Sequence, residues 1–238
     1  MTTPSANVTL PEGVSLRRVA QVLRDAWEVG SHQWTDTPLQ LREGRRPAPP
    51  APVPEDAMEL FRLLAERRVG YLLVGGLAML TYVQGRNTKD INLLLSLAAL
   101  EKMPELEIRD RQDFFMRAQF RSVRVDLLLT THPLFKTVEE RFATKHRFAE
   151  LEVPATTVEG LIVLKLFALP SLYRQLDWDR VYVYESDIKI LLAQFKPRVQ
   201  PLFELLEPHI LASDLKELRE IVVEAQQRIA RAEHDAGE

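Results

Sequence analysis

The chain has no cysteine. That removes disulfides, thiolate chemistry and cysteine-based zinc sites together, and it fits a reducing compartment. Histidine is sparse: five residues, His32, His132, His146, His209 and His234, with no metal-ligand spacing. A histidine metal site is therefore not expected. No apolar run approaches the ~18 residues of a membrane-spanning helix, and Met1-Thr2-Thr3-Pro4 opens neither a basic nor an apolar stretch. No secretory leader and no membrane partner are expected, and the cytoplasm is the default. The formal net charge of -3, with a pI of about 6.0, gives no overall basic field for a long nucleic acid, although local basic patches remain open.

What is present is ordinary globular material: 238 residues, 46% hydrophobic and 27% charged. That is one large domain or two small ones, with enough chain for a sizeable core. There is no internal repeat. Residues 1–54 stand apart. An amphipathic helix is predicted over 15–29, with Leu16, Val19, Val22, Leu23 and Trp27 near one stripe and Ser15 as its cap. A proline-rich stretch, residues 47–54, follows as an extended linker, either a spacer or a segment read by a partner.

From residue 55 the periodicity predicts a helix over 55–68 with Met58, Phe61, Leu64 and Ala65 inward, a strand over 69–74, and a helix over 77–84. A strand over 90–96 and a short helix over 97–102 come next. Strands over 114–120 and 122–129 form a hairpin around Arg121. A helix over 135–145 and a strand over 147–153 complete a mixed sheet. Beyond Pro154 only helices are read: 157–169, 171–176, 184–195, 199–207 and 213–233. The organisation is thus α+β: an N-terminal extension 1–54, an α/β unit 55–154 with a mixed β-sheet and flanking helices, and an α-helical domain 155–238.

The chemistry gathers on two strands. Asp90 and Asn92 are two residues apart, so on a strand they share a face while Ile91 and Leu93 turn to the core. Asp126 is a lone carboxylate in the apolar strand Val123 to Leu129. Buried, it needs a base, a hydrogen-bond donor or a metal; the alternative is a strand edge reaching solvent. If the two strands are neighbours, three oxygen-bearing side chains converge, the ligand chemistry that magnesium accepts beside substrate phosphates. Gly75-Gly76, between a strand and a helix, lets backbone approach a ligand, or is simply a tight turn. Arg86 and Lys89 on the approach to Asp90 are candidate phosphate partners or a solvated basic loop.

The segment from Tyr71 to Leu95 resembles the signature of the DNA polymerase β-like nucleotidyltransferase superfamily. Gly75-Gly76 matches its glycine element, Asp90 its first carboxylate and Asp126 its third. Asn92 stands where the family usually has its second carboxylate. The Gly-Gly form with the Arg86-Asn87-Thr88-Lys89-Asp90 approach is most similar to the prokaryotic branch that includes abortive-infection toxins of type IV toxin–antitoxin pairs. The resemblance covers roughly residues 55–195 and implies a nucleotidyltransferase-like fold.

It also implies the reaction: transfer of a nucleoside monophosphate from an NTP to an acceptor, with Mg²⁺ or Mn²⁺ as cofactor. By resemblance, Asp90, Asn92 and Asp126 are the metal ligands, and with Lys165 the catalytic set. Gly75, Gly76, Arg86, Thr88, Lys89, Lys165 and Asp187 belong to the nucleotide site. The acceptor is a transfer RNA, a protein or a small molecule, and an antitoxin is a possible partner. The alternative, raised by Asn92, is a catalytically weakened nucleotide-binding pseudoenzyme or an interaction module. The residues alone leave Lys165 either snorkelling to solvent or lying against the acidic cluster, and Asp187 either at the site or a charge at a helix N-terminus. Tyr173, Trp178, Tyr182 and Tyr184 are core, interface or a surface for stacking a base. The stripe Leu215, Leu218, Ile221, Val222, Ala225 and Ile229 packs on the bundle or forms a dimer seam.

Overall fold

The computed structural model describes residues 54–83, 88, 90–148 and 151–235. The helix expected over 15–29, the proline-rich linker, Arg86 and Lys89 lie outside the described residues.

Helix α1 (Pro54–Glu66) buries Ala57, Leu60, Phe61 and Leu64. This stripe has helical spacing, but it is turned from the expected one: Ala65 is exposed and Met58 half-buried. Strand β1 (Tyr71–Val74) runs into the short α2 (Gly75–Met79), which starts at the glycines and not at residue 77. Strand β2 is Ile91–Leu95, and Ser96 caps α3 (Leu97–Leu100) by accepting from the Ala99 N–H. Three strands follow: β3 (Glu107–Arg111), β4 (Phe115–Phe120) and β5 (Val123–Leu129). His132 then caps α4 (Pro133–Arg141), with Pro133 in the first turn.

Strands β6 (Ala143–Phe148) and β7 (Leu151–Thr156) pair antiparallel, where one strand over 147–153 was expected. Pro154 lies inside β7 opposite Lys145. It is tolerated because β7 meets β1 only at the pair Leu73/Ala155, so little ladder is lost there. The helical half starts at Val158. Helix α5 (Val158–Arg174) is one helix and not two. Pro170 does not end it, because Leu166, Leu169, Pro170 and Leu172 carry the buried surface through that turn. Helix α6 (Trp178–Phe195) starts well before residue 184, capped by Asp177, which accepts from the Arg180 N–H. Helix α7 (Gln200–Leu206) and α8 (Ala212–Asp235) close the chain. Leu215, Leu218, Val222 and Ala225 of α8 are buried in the core, which accounts for most of the stripe as packing.

The architecture is α+β: a seven-stranded mixed sheet ordered β3-β4-β5-β2-β1-β7-β6, with flanking helices and a helical C-terminal part. Strands β2 and β5 are parallel neighbours at the centre, and β4–β5 is antiparallel. Period-two alternation then gives the sheet two characters. Met116, Ala118, Phe120, Val123, Val125, Leu127, Ile91 and Leu93 are buried on one face, continuous with α1 and α4 in a single core. The opposite face carries Arg117, Gln119, Arg124, Asp126 and Asn92. That polar face is the site.

Candidate functional site

The parallel pairing sets Asn92 beside Asp126 in register, and the antiparallel pairing sets Arg117 across from Asp126 on the other side. Asp90 stands immediately before β2, in a bend and not on the strand itself. Its carboxylate is held by donors. Asn92 Nδ2 donates to Oδ1 at 2.9 Å, and an Arg124 guanidinium nitrogen donates to Oδ2 at 3.3 Å. The Thr88 hydroxyl lies 3.1 Å from the Asp90 carbonyl oxygen and 3.3 Å from Oδ1. Asn92 therefore acts here as a donor that keeps Asp90 in place, something a carboxylate at 92 would not do.

The two glycines are fitted to these side chains. Gly75 has φ +67°, in the left-handed region, and a Cβ on it would come within 2.7 Å of Asn92 Cγ. A Cβ on Gly76 would come within 2.5 Å of Thr88 Oγ1. The Gly-Gly turn thus lets β1 close against the polar ends of the residues around Asp90. The space made by the missing side chains is filled by Asn92 and Thr88.

Asp126 is 5% exposed, and its Oδ1 is buried with no hydrogen-bond partner among the described residues. Burial first, and the Asp90 charge second, push its carboxyl up to about 6, against the opposing pull of Arg124, Arg117 and Arg180. A buried oxygen without a donor, next to a second carboxylate, is the electrostatic situation that a hard cation relieves. No cluster of three or more histidine, aspartate or glutamate side chains of metal-binding type occurs among the described residues. Two carboxylates are nevertheless enough for magnesium, which keeps waters and substrate phosphates as its other ligands. The donor set Asp90, Asp126 and the Asn92 carbonyl oxygen fits such an ion on charge and ligand type.

Helix α6 faces this end of the sheet with Arg180, Tyr184 and Asp187, which lie three and four residues apart on one helix face. Lys165 of α5 is 4% exposed and does not snorkel. Its Nζ lies 2.7 Å from Asp187 Oδ2, in a pair whose aspartate is 2% exposed, and 4.4 Å from the centre of the Tyr184 ring. Asp187 sits in the third turn of α6, so the reading as a helix N-terminal charge is set aside. Burial raises the Tyr184 hydroxyl pKa, against the pull of Arg180, with Asp90, Asp126 and Asp187 adding to the rise. Tyr184 is thus in contact with Lys165 and within reach of the charges of Asp90, Asp126 and Asp187.

The other aromatics do not line this space. Trp178 and Tyr182 are exposed and lie two residues either side of Arg180, hence on the other side of the helix. Tyr173 packs edge-on to Trp178 and donates to Glu185 Oε1. A cavity of about 90 Å³ lined by Pro170, Tyr173, Arg174, Asp214, Glu217, Leu218 and Ile221 belongs to the packing of α5 on α8 and not to the acidic face.

The described structure thus brings together Gly75, Gly76, Thr88, Asp90, Asn92 and Asp126, and pairs Lys165 with Asp187 alongside. Three site residues escaped the sequence reading: Arg117, Arg124 and Arg180. Arg124 was accessible, since it precedes Asp126 by two on an apolar strand. Arg117 required the β4–β5 register, and Arg180 the early start of α6.

No protein-family model and no curated protein matches the sequence. Several solved structures are similar, among them the three that follow. An antigenic nucleotidyltransferase-like protein from Paracoccidioides brasiliensis aligns at 17% identity over 66% of this chain and 89% of its own, with a TM-score of 0.41. ANT(2″)-Ia in complex with adenylyl-2″-tobramycin aligns at 13% over 63% of this chain and 92% of its own, TM-score 0.48. The solution structure of the antibiotic-resistance factor ANT(2″)-Ia aligns at 14% over 77% and 96%, TM-score 0.46. At these values the likeness carries no argument about activity or substrate.

Proposed function

We propose that this chain is a nucleotidyltransferase that moves a nucleoside monophosphate from an NTP to an acceptor hydroxyl. One observation carries the reading. The carboxylate of Asp126, buried with an unpartnered oxygen, stands in register with Asn92 and near Asp90, in the order and spacing of the motif to which Gly75-Gly76 also belongs. A structural aspartate would have found a donor for that oxygen.

Asp90, Asp126 and the Asn92 carbonyl would hold the divalent ion, Mg²⁺ or Mn²⁺, which when bound neutralises the phosphates and makes the acceptor hydroxyl more acidic. In the transfer the acceptor oxygen bonds to the α-phosphorus, the bond from that phosphorus to the bridging oxygen breaks, and pyrophosphate leaves. Asp126 is the buried carboxylate beside the ion, placed to receive the hydroxyl proton. Arg124 and Asn92 orient Asp90. Gly75, Gly76, Thr88, Arg86, Lys89 and the Lys165–Asp187 pair are assigned to the nucleotide side.

The acceptor classes in view are a transfer RNA, a protein or a small molecule. The finer reading makes the protein the toxin of a toxin–antitoxin pair, with a small antitoxin as partner. The test is incubation of the purified protein with labelled NTPs, Mg²⁺ or Mn²⁺, and total RNA or protein. Label transfer that is lost in Asp90→Asn and Asp126→Asn is expected. NTP binding without any transfer would instead support the weakened enzyme.

A further inference from the structure

The strand order places two polar regions on opposite sides of β2. Gly75-Gly76 follow β1, its neighbour on one side, and the arginines of β4 and β5 lie on the other. Arg117 is in register with Asp126, and Arg124 precedes it by two on the same face. Arg180 of α6, one turn before Tyr184 on the same helix face, lies close enough for its charge to act on the Asp126 carboxyl and on Tyr184. Three of the carboxylates on this side already hold an arginine. Asp90 holds Arg124, Asp177 holds Arg180 Nε at 3.5 Å, and Glu107 holds Arg109. Asp110 neighbours Arg117 across β3–β4, yet Arg117 makes no ion pair with a described residue and stands exposed, 5.7 Å over the Phe115 ring. Arg124 Nε is buried with no hydrogen-bond partner among the described residues. Arg117 and this Arg124 nitrogen therefore leave guanidinium donors on this side that no described residue takes, and an incoming anion can take such donors two at a time.

Resting on the transfer reading above, we propose that the β4–β5 side of the site receives the acceptor, and that the acceptor carries a phosphate or phosphodiester group bound by Arg117, Arg124 and Arg180. In-line displacement sets the attacking oxygen opposite the leaving pyrophosphate. With the triphosphate on the glycine side of β2, the acceptor enters from the arginine side. A polycationic acceptor would meet there the Arg117 guanidinium, unpaired among the described residues, a like charge that weighs against it.

The experiment uses the full chain and three probes. The first is a 5′-labelled single-stranded RNA of about 12 nucleotides. The others are a nucleoside 5′-monophosphate and tobramycin. Binding is read between about 50 and 200 mM salt for the parent, for Arg117→Ala/Arg180→Ala and for Arg117→Lys/Arg180→Lys. The alanine pair is expected to weaken RNA or monophosphate binding roughly tenfold or more. For RNA, the salt slope becomes shallower by about 1.4, that is ~0.7 per phosphate lost. The lysine pair keeps the charge and most of the binding, and NTP affinity stays within about twofold throughout. Preference for RNA over the monophosphate identifies a nucleic-acid end, and equal binding a small phosphorylated acceptor; either supports the proposal. Unchanged binding in the alanine pair overturns it. So does a loss of NTP affinity instead, or tighter binding of tobramycin than of either phosphate-bearing probe by the parent. No NTP binding by the parent removes the transfer reading itself, and the acceptor assignment with it.

Discussion

Asn92 decides how strong this site is. Its amide bridges to Asp90 and fills the space left by Gly75. Asn92→Asp replaces that donor with a third carboxylate beside Asp90 and Asp126. We expect the metal-free variant to be less stable by on the order of 2 kcal/mol. Mg²⁺ should raise its melting temperature more than the parent's; equal responses would take residue 92 out of the ligand set. Asp126 gives a pH signature in metal-free protein. Its folded carboxyl, at about 6, binds its proton more tightly than an unfolded aspartate near ~3.9. The proton-linked stabilisation is full below about pH 4 and is lost between about 4 and 6, leaving the ionised group about 3 kcal/mol unfavourable above that. Asp126→Asn should therefore melt higher than the parent at about pH 7.5, with the gap closing towards pH 4. A gap independent of pH would contradict the burial. Gly75→Ala combines φ +67° with a Cβ 2.7 Å from Asn92, and a loss of about 1–3 kcal/mol in denaturant titration is expected.

Elements were legible where side chains alternate or repeat, and illegible where exposure erased the pattern. The shared direction of Asp90 and Asn92 follows from the two-residue period, whereas the α6 face that joins Arg180 to Tyr184 and Asp187 needed the early start of the helix. Strand β3, Glu107–Arg111, has every residue exposed, so its sequence carries no hydrophobic alternation at all. Its charges are those of a protected sheet edge. Pro154 and Pro170 both read as breaks, yet one sits in a strand with little ladder to lose and the other in a helix held by its buried face. The start of α6 was signalled by Asp177 as a cap, but the polar run after it hid the signal. The link between α5 and α6 is the buried Lys165–Asp187 pair. Lys165→Met strips a 2%-exposed aspartate of its lysine, and a loss of about 3–5 kcal/mol is expected. Lys165→Met/Asp187→Leu should recover most of it in thermal melts. If the double variant is as unstable as the single one, the pair is not the source of the cost.

At the scale of the molecule, the sheet and the helical part belong to one continuous core. The architecture could be read in outline from the change from strand to helix patterns after Pro154, but the position of the helices over the acidic face could not. That position depends on contacts far apart in sequence, such as Lys165 with Asp187. Asp90 and Asp126 are proposed above as a divalent-metal nucleotide site. Calorimetric titration of the full chain with each NTP, with and without Mg²⁺, tests it most directly, alongside Asp90→Asn/Asp126→Asn. The account predicts Mg²⁺-dependent binding of at least one NTP by the parent and its loss in the double variant. A folded parent that binds no NTP at millimolar concentration, or a double variant that binds as the parent does, would contradict it.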